Sequence, residues 1–260
     1  MRAVLGIDAA WTERQPSGVA LVVDNGAGWR LHKIAASYMA FTDEADDGRY
    51  ARHLGSKPDP EAILAAAGVS IDLVGIDMPL SMVPIVGRRV SDNLISSLYG
   101  SRHAGTHTPS SLRPGRLSDE LRVGFDELGF PLLTLGSTIP ALIEVYPHPA
   151  LIELAAAAQR LPYKHGKAGK YWPDDTPAGR RQRLLEVWTQ IVGLFDVRIE
   201  GVAAALPMPP LDCRGYEMRA FEDSLDAVVC AWVGTCVLEG KARPYGDKES
   251  AIWIPEVSVD

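Results

Sequence analysis

Residues 2–23 hold an apolar run (Ala3, Val4, Leu5, Ile7) that ends in a lone carboxylate, Asp8, followed by a Pro-Ser-Gly turn and a second apolar run over 19–23. Two β-rich runs around such a turn predict a hairpin. A carboxylate buried at a strand end is costly, so Asp8 must be exposed, hydrogen-bonded or holding a cation. An Asp that caps its own turn is the plainer alternative. The pattern then recurs. Residues 71–77 form a compact apolar run that closes on Asp77-Met-Pro79, which predicts a central strand stopped by a residue that cannot donate to a ladder. Residues 141–147 repeat it, with Glu144 near the end.

Between these runs, residues 29–34 alternate as a third antiparallel strand, 42–60 read as an acidic loop, and Pro60 opens a short helix that Gly68 stops. Residues 84–135 place Arg and His among Ser, Gly and Pro. They predict a helix over 88–99, a second one capped by Ser118, and an insertion or lid with a basic face. A solvated loop is the duller reading. Helices are also expected over 180–194 and 217–240. On the latter, Asp223 and Asp226 are i,i+3 and share a face with Ala227, Cys230, Ala231 and Gly234. Small residues there let the helix lie close on a sheet and carry both carboxylates towards the strand ends. Asp223 alone is also explained by the helix dipole.

The 260 residues allow one domain over 1–260 with a sizeable core, the 84–135 stretch being an insertion within it. Net charge is −7, so any nucleic-acid contact needs a local basic patch. Residues 160–183 supply one, with seven Lys/Arg against Asp174 and Asp175, and Tyr163, Tyr171 and Trp172 interleaved. Such a mixture suits phosphates and stacked bases, though charge runs are more often solvated faces. Cys213, Cys230 and Cys236 have no metal or redox spacing and fit core packing in a reducing cytoplasm. The N-terminus runs straight into the first strand without a signal peptide, and no apolar run reaches membrane-spanning length.

Asp8, Asp77, Glu144, Asp223 and Asp226 thus form a set of acids in matching settings. Clustered carboxylates repel, and oxygen-only ligands favour Mg²⁺ or Mn²⁺. Two such ions about 4 Å apart can clamp a phosphodiester. GIDAAW with PSGVAL, GIDMP, EVYPHP, the 164–171 region and DSLDAVVCAW together resemble the domain-of-unknown-function family 429, over essentially the whole chain. That resemblance implies a ribonuclease H-like α/β fold: a mixed five-stranded sheet, three antiparallel N-terminal strands and then parallel ones, flanked by helices. It also implies a metal-dependent nuclease acting on RNA or DNA. The chain is similar, further out, to Holliday-junction resolvases of the RuvC type, whose acids match Asp8, Asp77, Asp223 and Asp226. Asp77 stands where they carry Glu, and Glu144 lies outside that set, as ligand, outer acid or structural residue. In this reading Asp8, Asp77 and Asp226 are catalytic, and Arg88, Lys164 and Lys170 steady phosphates. Arg88 and Asp92 are matched to an arginine–aspartate pair of the family, by physics an i,i+4 ion pair or a phosphate clamp.

Two other classes compete. A phosphotransferase of the sugar-kinase and actin type shares the first hairpin, but needs a second phosphate-binding hairpin that residues 139–152 lack. A non-catalytic nucleic-acid- or protein-binding domain fits the acids poorly, because carboxylates repel a phosphate backbone unless metal intervenes. The 84–135 insertion closes over substrate or makes a homodimer.

Overall fold

The computed structural model describes residues 1–43 and 52–256, so residues 44–51 of the acidic loop expected over 42–60 lie outside it. Among the described residues, seven strands form one mixed sheet: β1 (Arg2–Asp8), β2 (Gly18–Asp24), β3 (Trp29–Ala35), β4 (Leu73–Ile76), β5 (Ala141–Val145), β6 (Ala242–Gly246) and β7 (Ala251–Pro255). Their spatial order is β3-β2-β1-β4-β5-β7-β6. β1, β2 and β3 are antiparallel neighbours, β4 runs parallel to β1, and β5 parallel to β4. β7 continues the parallel set, and β6 closes the edge antiparallel to it. The sheet therefore has two strands more than expected. Both are five residues long, and the edge strand β6 carries Pro244, which obscures it in sequence.

The longer helices are α1 (Pro60–Ala67), α2 (Val90–Tyr99), α3 (Arg116–Glu127), α4 (Pro147–Leu154), α5 (Pro177–Asp196) and α6 (Gly215–Leu238). Asp59 caps α1 through Ala62 N–H, and Gly68 ends it at φ +67°. Gly115, not Ser118, precedes α3; the Ser118 hydroxyl lies inside the first turn and donates back to Gly115 O at 3.3 Å. α4 starts directly after β5 at Pro147, so no second hairpin follows that strand. No helix among the described residues is long and apolar enough to cross a membrane.

Strand periodicity sorts the core into two layers. Val4, Leu73, Ile143 and Val145 point to the face covered by α5 and α6. Leu5, Ile7, Val74, Ile76 and Leu142 point to the other, with Ile63, Leu121 and Phe125 from α1 and α3. α6 lies unusually close to the sheet. A Cβ on Gly6 would fall 2.2 Å from Ala227 O, one on Gly75 2.7 Å from Cys230 O, and one on Gly18 2.0 Å from Asp223 O. The small-residue face of α6 and three strand glycines therefore fit together. Cys213, Cys230 and Cys236 are free and buried, as packing residues are.

Candidate active site

The same alternation decides which acids meet. Asp8 is in phase with Val4 and Gly6, and Asp77 with Leu73 and Gly75, so both leave their strands on the α6 side. Parallel register pairs Ile7 with Ile76, and Asp77 N–H donates to Ile7 O at 2.9 Å, which sets the two carboxylates side by side. The Gly18–Asp223 approach brings the first turns of α6 against the end of this hairpin, because Gly18 is the register partner of Asp8. Asp8 and Asp223 line a cleft of about 740 Å³, together with Lys164, Glu222, Arg113 and His107. Asp226, one turn deeper, is fully buried.

Asp226 is held by two donors. Tyr163 Oη donates to Oδ1 at 2.9 Å, and the Lys164 ammonium bonds Oδ2. Lys164 also reaches Glu222 Oε1 at 3.4 Å. Tyr163 is fixed in turn by Trp188 Nε1–H, which donates to its carbonyl at 2.7 Å. Burial pulls the Lys164 ammonium towards neutrality, but Asp226 first, then Tyr163, Glu222 and Asp8, hold it well above its ordinary value. Lys164 is thus a charged cation inside a carboxylate cluster.

Among the described residues, no hydrogen bond reaches the carboxylates of Asp8, Asp77 or Asp223. Burial, then the charge on Asp226, pushes the Asp8 carboxyl well above its usual range, against the pull of Lys164. Burial, reinforced by Asp226 and Glu144, raises Asp77 to about 8 despite Lys164. Asp223 is raised by burial first and by neighbouring Glu222 next. Three half-buried acids that prefer a proton mark a place short of positive charge.

Glu144 does not join them. Its register partner is Ile76, one residue out of phase with Asp77, so its side chain leaves on the opposite face. There Arg89 grips both of its oxygens, Nη1 to Oε2 at 2.5 Å and Nη2 to Oε1 at 2.7 Å, and Leu80 N–H donates to Oε2 at 2.8 Å. Burial raises this carboxyl to about 7 against the pull of Arg89. Expected among metal ligands, Glu144 is instead the anchor that ties the chain after Asp77 to β5.

The expected Arg88–Asp92 pair is also reassigned. Arg89, three residues before Asp92, bonds its carboxylate at 2.9 and 3.0 Å, with side chains 7% and 2% exposed. Arg88 touches only the Asp92 carbonyl (2.8 Å) and spends its other donors on Asn93, Ser96, Thr106 and Thr108. It fastens the 105–108 loop to α2. Lys170 is exposed and forms no ion pair among the described residues. Of the three expected phosphate residues, two are thus engaged internally.

Sequence reasoning misses Glu222, the bond from Tyr163 to Asp226 and the inward turn of Lys164. Glu222 and Asp226 are i,i+4 on α6, a like-charge spacing that calls for a cation between them. That signal is present in the sequence.

A family model described as a protein of unknown function (DUF429) matches residues 6–250, nearly the whole chain. No curated protein gives a match. No solved structure gives one either.

Proposed function

The chain belongs to the DUF429 family, whose description assigns no activity, and from the geometry of its cleft we propose a Mg²⁺- or Mn²⁺-dependent nuclease that hydrolyses phosphodiester bonds of RNA or DNA. The observation behind this reading is the arrival of Asp8, Asp77, Asp223 and Asp226 from two strands and a helix at one end of the sheet. The order β3-β2-β1-β4-β5, antiparallel and then parallel, further supports a ribonuclease H-like scaffold, with β7 and β6 added beyond it.

The donor set fits a hard divalent cation: carboxylate oxygens, of which those of Asp8, Asp77 and Asp223 are half-buried, have raised proton affinity and, among the described residues, receive no hydrogen bond. Among the described residues no three ligands already stand at metal-binding spacing, so the side chains must close in on binding. Asp8, Asp77 and Asp223 would hold the ion, with Asp226 beneath. When bound, such an ion lowers the pKa of a water and neutralises developing charge on phosphate oxygens. Lys164 keeps Asp226 charge-compensated and presents its ammonium to the same cleft. Arg113 and Arg219 line that cleft and offer donors that orient a phosphate, with Arg113 stacked over Trp11 at 5.8 Å.

The test is cleavage of labelled single- and double-stranded RNA and DNA with and without Mn²⁺. Asp8→Asn and Asp77→Asn each reduce cleavage by about 10² or more, the order seen when one electrostatic stabiliser of a transition state is lost. Melting should show both variants folded. Unchanged, metal-dependent cleavage in both would remove the assignment.

A further inference from the structure

Two of the three cations expected to meet phosphate, Arg88 and Lys164, are committed elsewhere, while another group has no acid to answer it. Arg160 Nε and Nη2 are buried and reach no acceptor among the described residues. The bond that fixes this residue comes from its main chain, Arg160 N–H to Arg102 O at 2.9 Å. Buried guanidinium donors without a partner are rare in native proteins and point to an acceptor that comes from outside. Behind them His148 is buried with Nδ1 unpartnered among the described residues, its ring edge-on to Tyr146 and Tyr163 at 5.3 and 5.5 Å.

Two more cations, Lys167 and Arg113, lie close enough to the His107 imidazole for it to feel their charge together with that of Arg160. His107 and Arg113 stand on the wall of the cleft that Asp8 and Asp223 also line. None of Arg160, Lys167 and Arg113 forms a salt bridge with a carboxylate among the described residues. These groups repel one another. Burial first, then the charges of Lys167, Arg160 and Arg113, hold His107 below its ordinary value, and burial with Arg160 does the same to Lys167. The group lies near the acids on its other side, since the Tyr146 hydroxyl feels the charges of both Asp77 and Arg160. Tyr146 Oη is tied to Gly105 O at 3.0 Å, in the loop that Arg88 fastens.

We propose that Arg160, Lys167 and His107, with Arg113 at the cleft wall, form a phosphate-binding site that seats one backbone phosphate of a nucleic-acid strand beside Asp8 and Asp77. A guanidinium fork suits two phosphate oxygens, and an oxyanion relieves the repulsion among the cations. The location beside the acids rests on the nuclease reading, but binding of the anion does not need metal.

The experiment is therefore run in EDTA. Anisotropy of a labelled 12-nucleotide single strand, as DNA and as RNA, is compared between wild type, Arg160→Met and Lys167→Met across a salt series, with inorganic phosphate titrated as competitor. Each variant should bind about tenfold more weakly, with a slope of log Kd against log salt shallower by about one. Arg160→Met should melt no lower than wild type, because the buried donors have no protein partner to lose. Unchanged affinity, or a lower melting temperature with unchanged affinity, overturns the site. Phosphate that binds wild type but not Arg160→Met, with no oligonucleotide binding by either, assigns the pocket to free phosphate and overturns the strand-seating part. If Asp8→Asn and Asp77→Asn cleave normally while these losses stand, the nuclease reading fails and the anion site survives.

Discussion

At the scale of single residues, Lys164 and Asp226 set the terms on which the cleft can be tested. Asp226 is fully buried and takes one bond from Tyr163 and one from Lys164. Asp226→Asn leaves the Lys164 ammonium with Glu222, at 3.4 Å, as its remaining ion-pair partner among the described residues. Removing one partner of a buried pair costs about 3–5 kcal/mol. Lys164 is 23% exposed, so a loss of about 2–3 kcal/mol is expected in urea denaturation. Lys164→Met should cost a similar amount by stranding the carboxylate. The double variant should recover most of the loss, because both charges leave together. Single losses that simply add would show that the two groups are not coupled. Inactivity of Asp226→Asn is therefore ambiguous between lost chemistry and lost packing. Asp8→Asn is the cleaner probe, since it breaks no hydrogen bond among the described residues.

Among the elements, the contact between α6 and the sheet decides whether the acids converge. Gly6→Ala would set a Cβ 2.2 Å from Ala227 O and 2.3 Å from Ala231 N, both backbone atoms that cannot rotate away. Overpacking of this kind costs typically about 1–3 kcal/mol and more when backbone must shift. A loss of at least about 3 kcal/mol is expected, with weakened Mn²⁺ binding as α6 lifts off. Gly193→Ala is the contrast: it sits exposed inside α5 with nothing within 4 Å of its new Cβ. It should stabilise the protein by about 0.5–1 kcal/mol. Equal melting shifts from the two would mean that helix propensity, not close approach, governs these positions.

This contact is legible in the sequence because it rests on local pattern. The run Ala227, Cys230, Ala231, Gly234 repeats at helical spacing, and glycines inside β1 and β4 answer it. The acids at β1 and β4 are legible for a like reason, a continuous apolar run that closes on Asp. What sequence cannot supply is phase between strands. In sequence Glu144 is equivalent to Asp77; the register sets it opposite Ile76 and on the other face. Arg89 is hidden beside Arg88 because only the three-dimensional path of residues 77–92 tells which guanidinium turns inward. β6 and β7 escape sequence reading because five-residue strands with prolines carry little periodic signal.

For the molecule as a whole, the cluster couples folding to pH and to metal. The Asp77 carboxyl, ordinarily near 3.8, is raised to about 8 by burial, with Asp8 and Asp223 displaced in the same direction. Between those values the folded chain keeps protons that the unfolded chain has released. Stability of the metal-free protein therefore falls as pH rises from about 4 to about 8. A tenfold change in proton affinity corresponds to about 1.4 kcal/mol, and solvent screening at a cleft wall reduces it, so a fall on the order of 1–3 kcal/mol is expected from Asp77. The chain's net charge of −7 adds a general repulsion with the same sign, so the decisive comparison is with Asp77→Asn, which shares that background. In EDTA the variant should be more stable than wild type at about pH 8, with the difference shrinking as pH falls and vanishing near about pH 4. Mn²⁺ competes with the same protons, so it should raise the wild-type melting temperature more at about pH 8 than at about pH 5.5 and raise that of the variant little. A wild-type protein whose stability in EDTA rises through this interval, in step with Asp77→Asn, would show that the acids are already neutralised within the fold and have no need of a divalent ion.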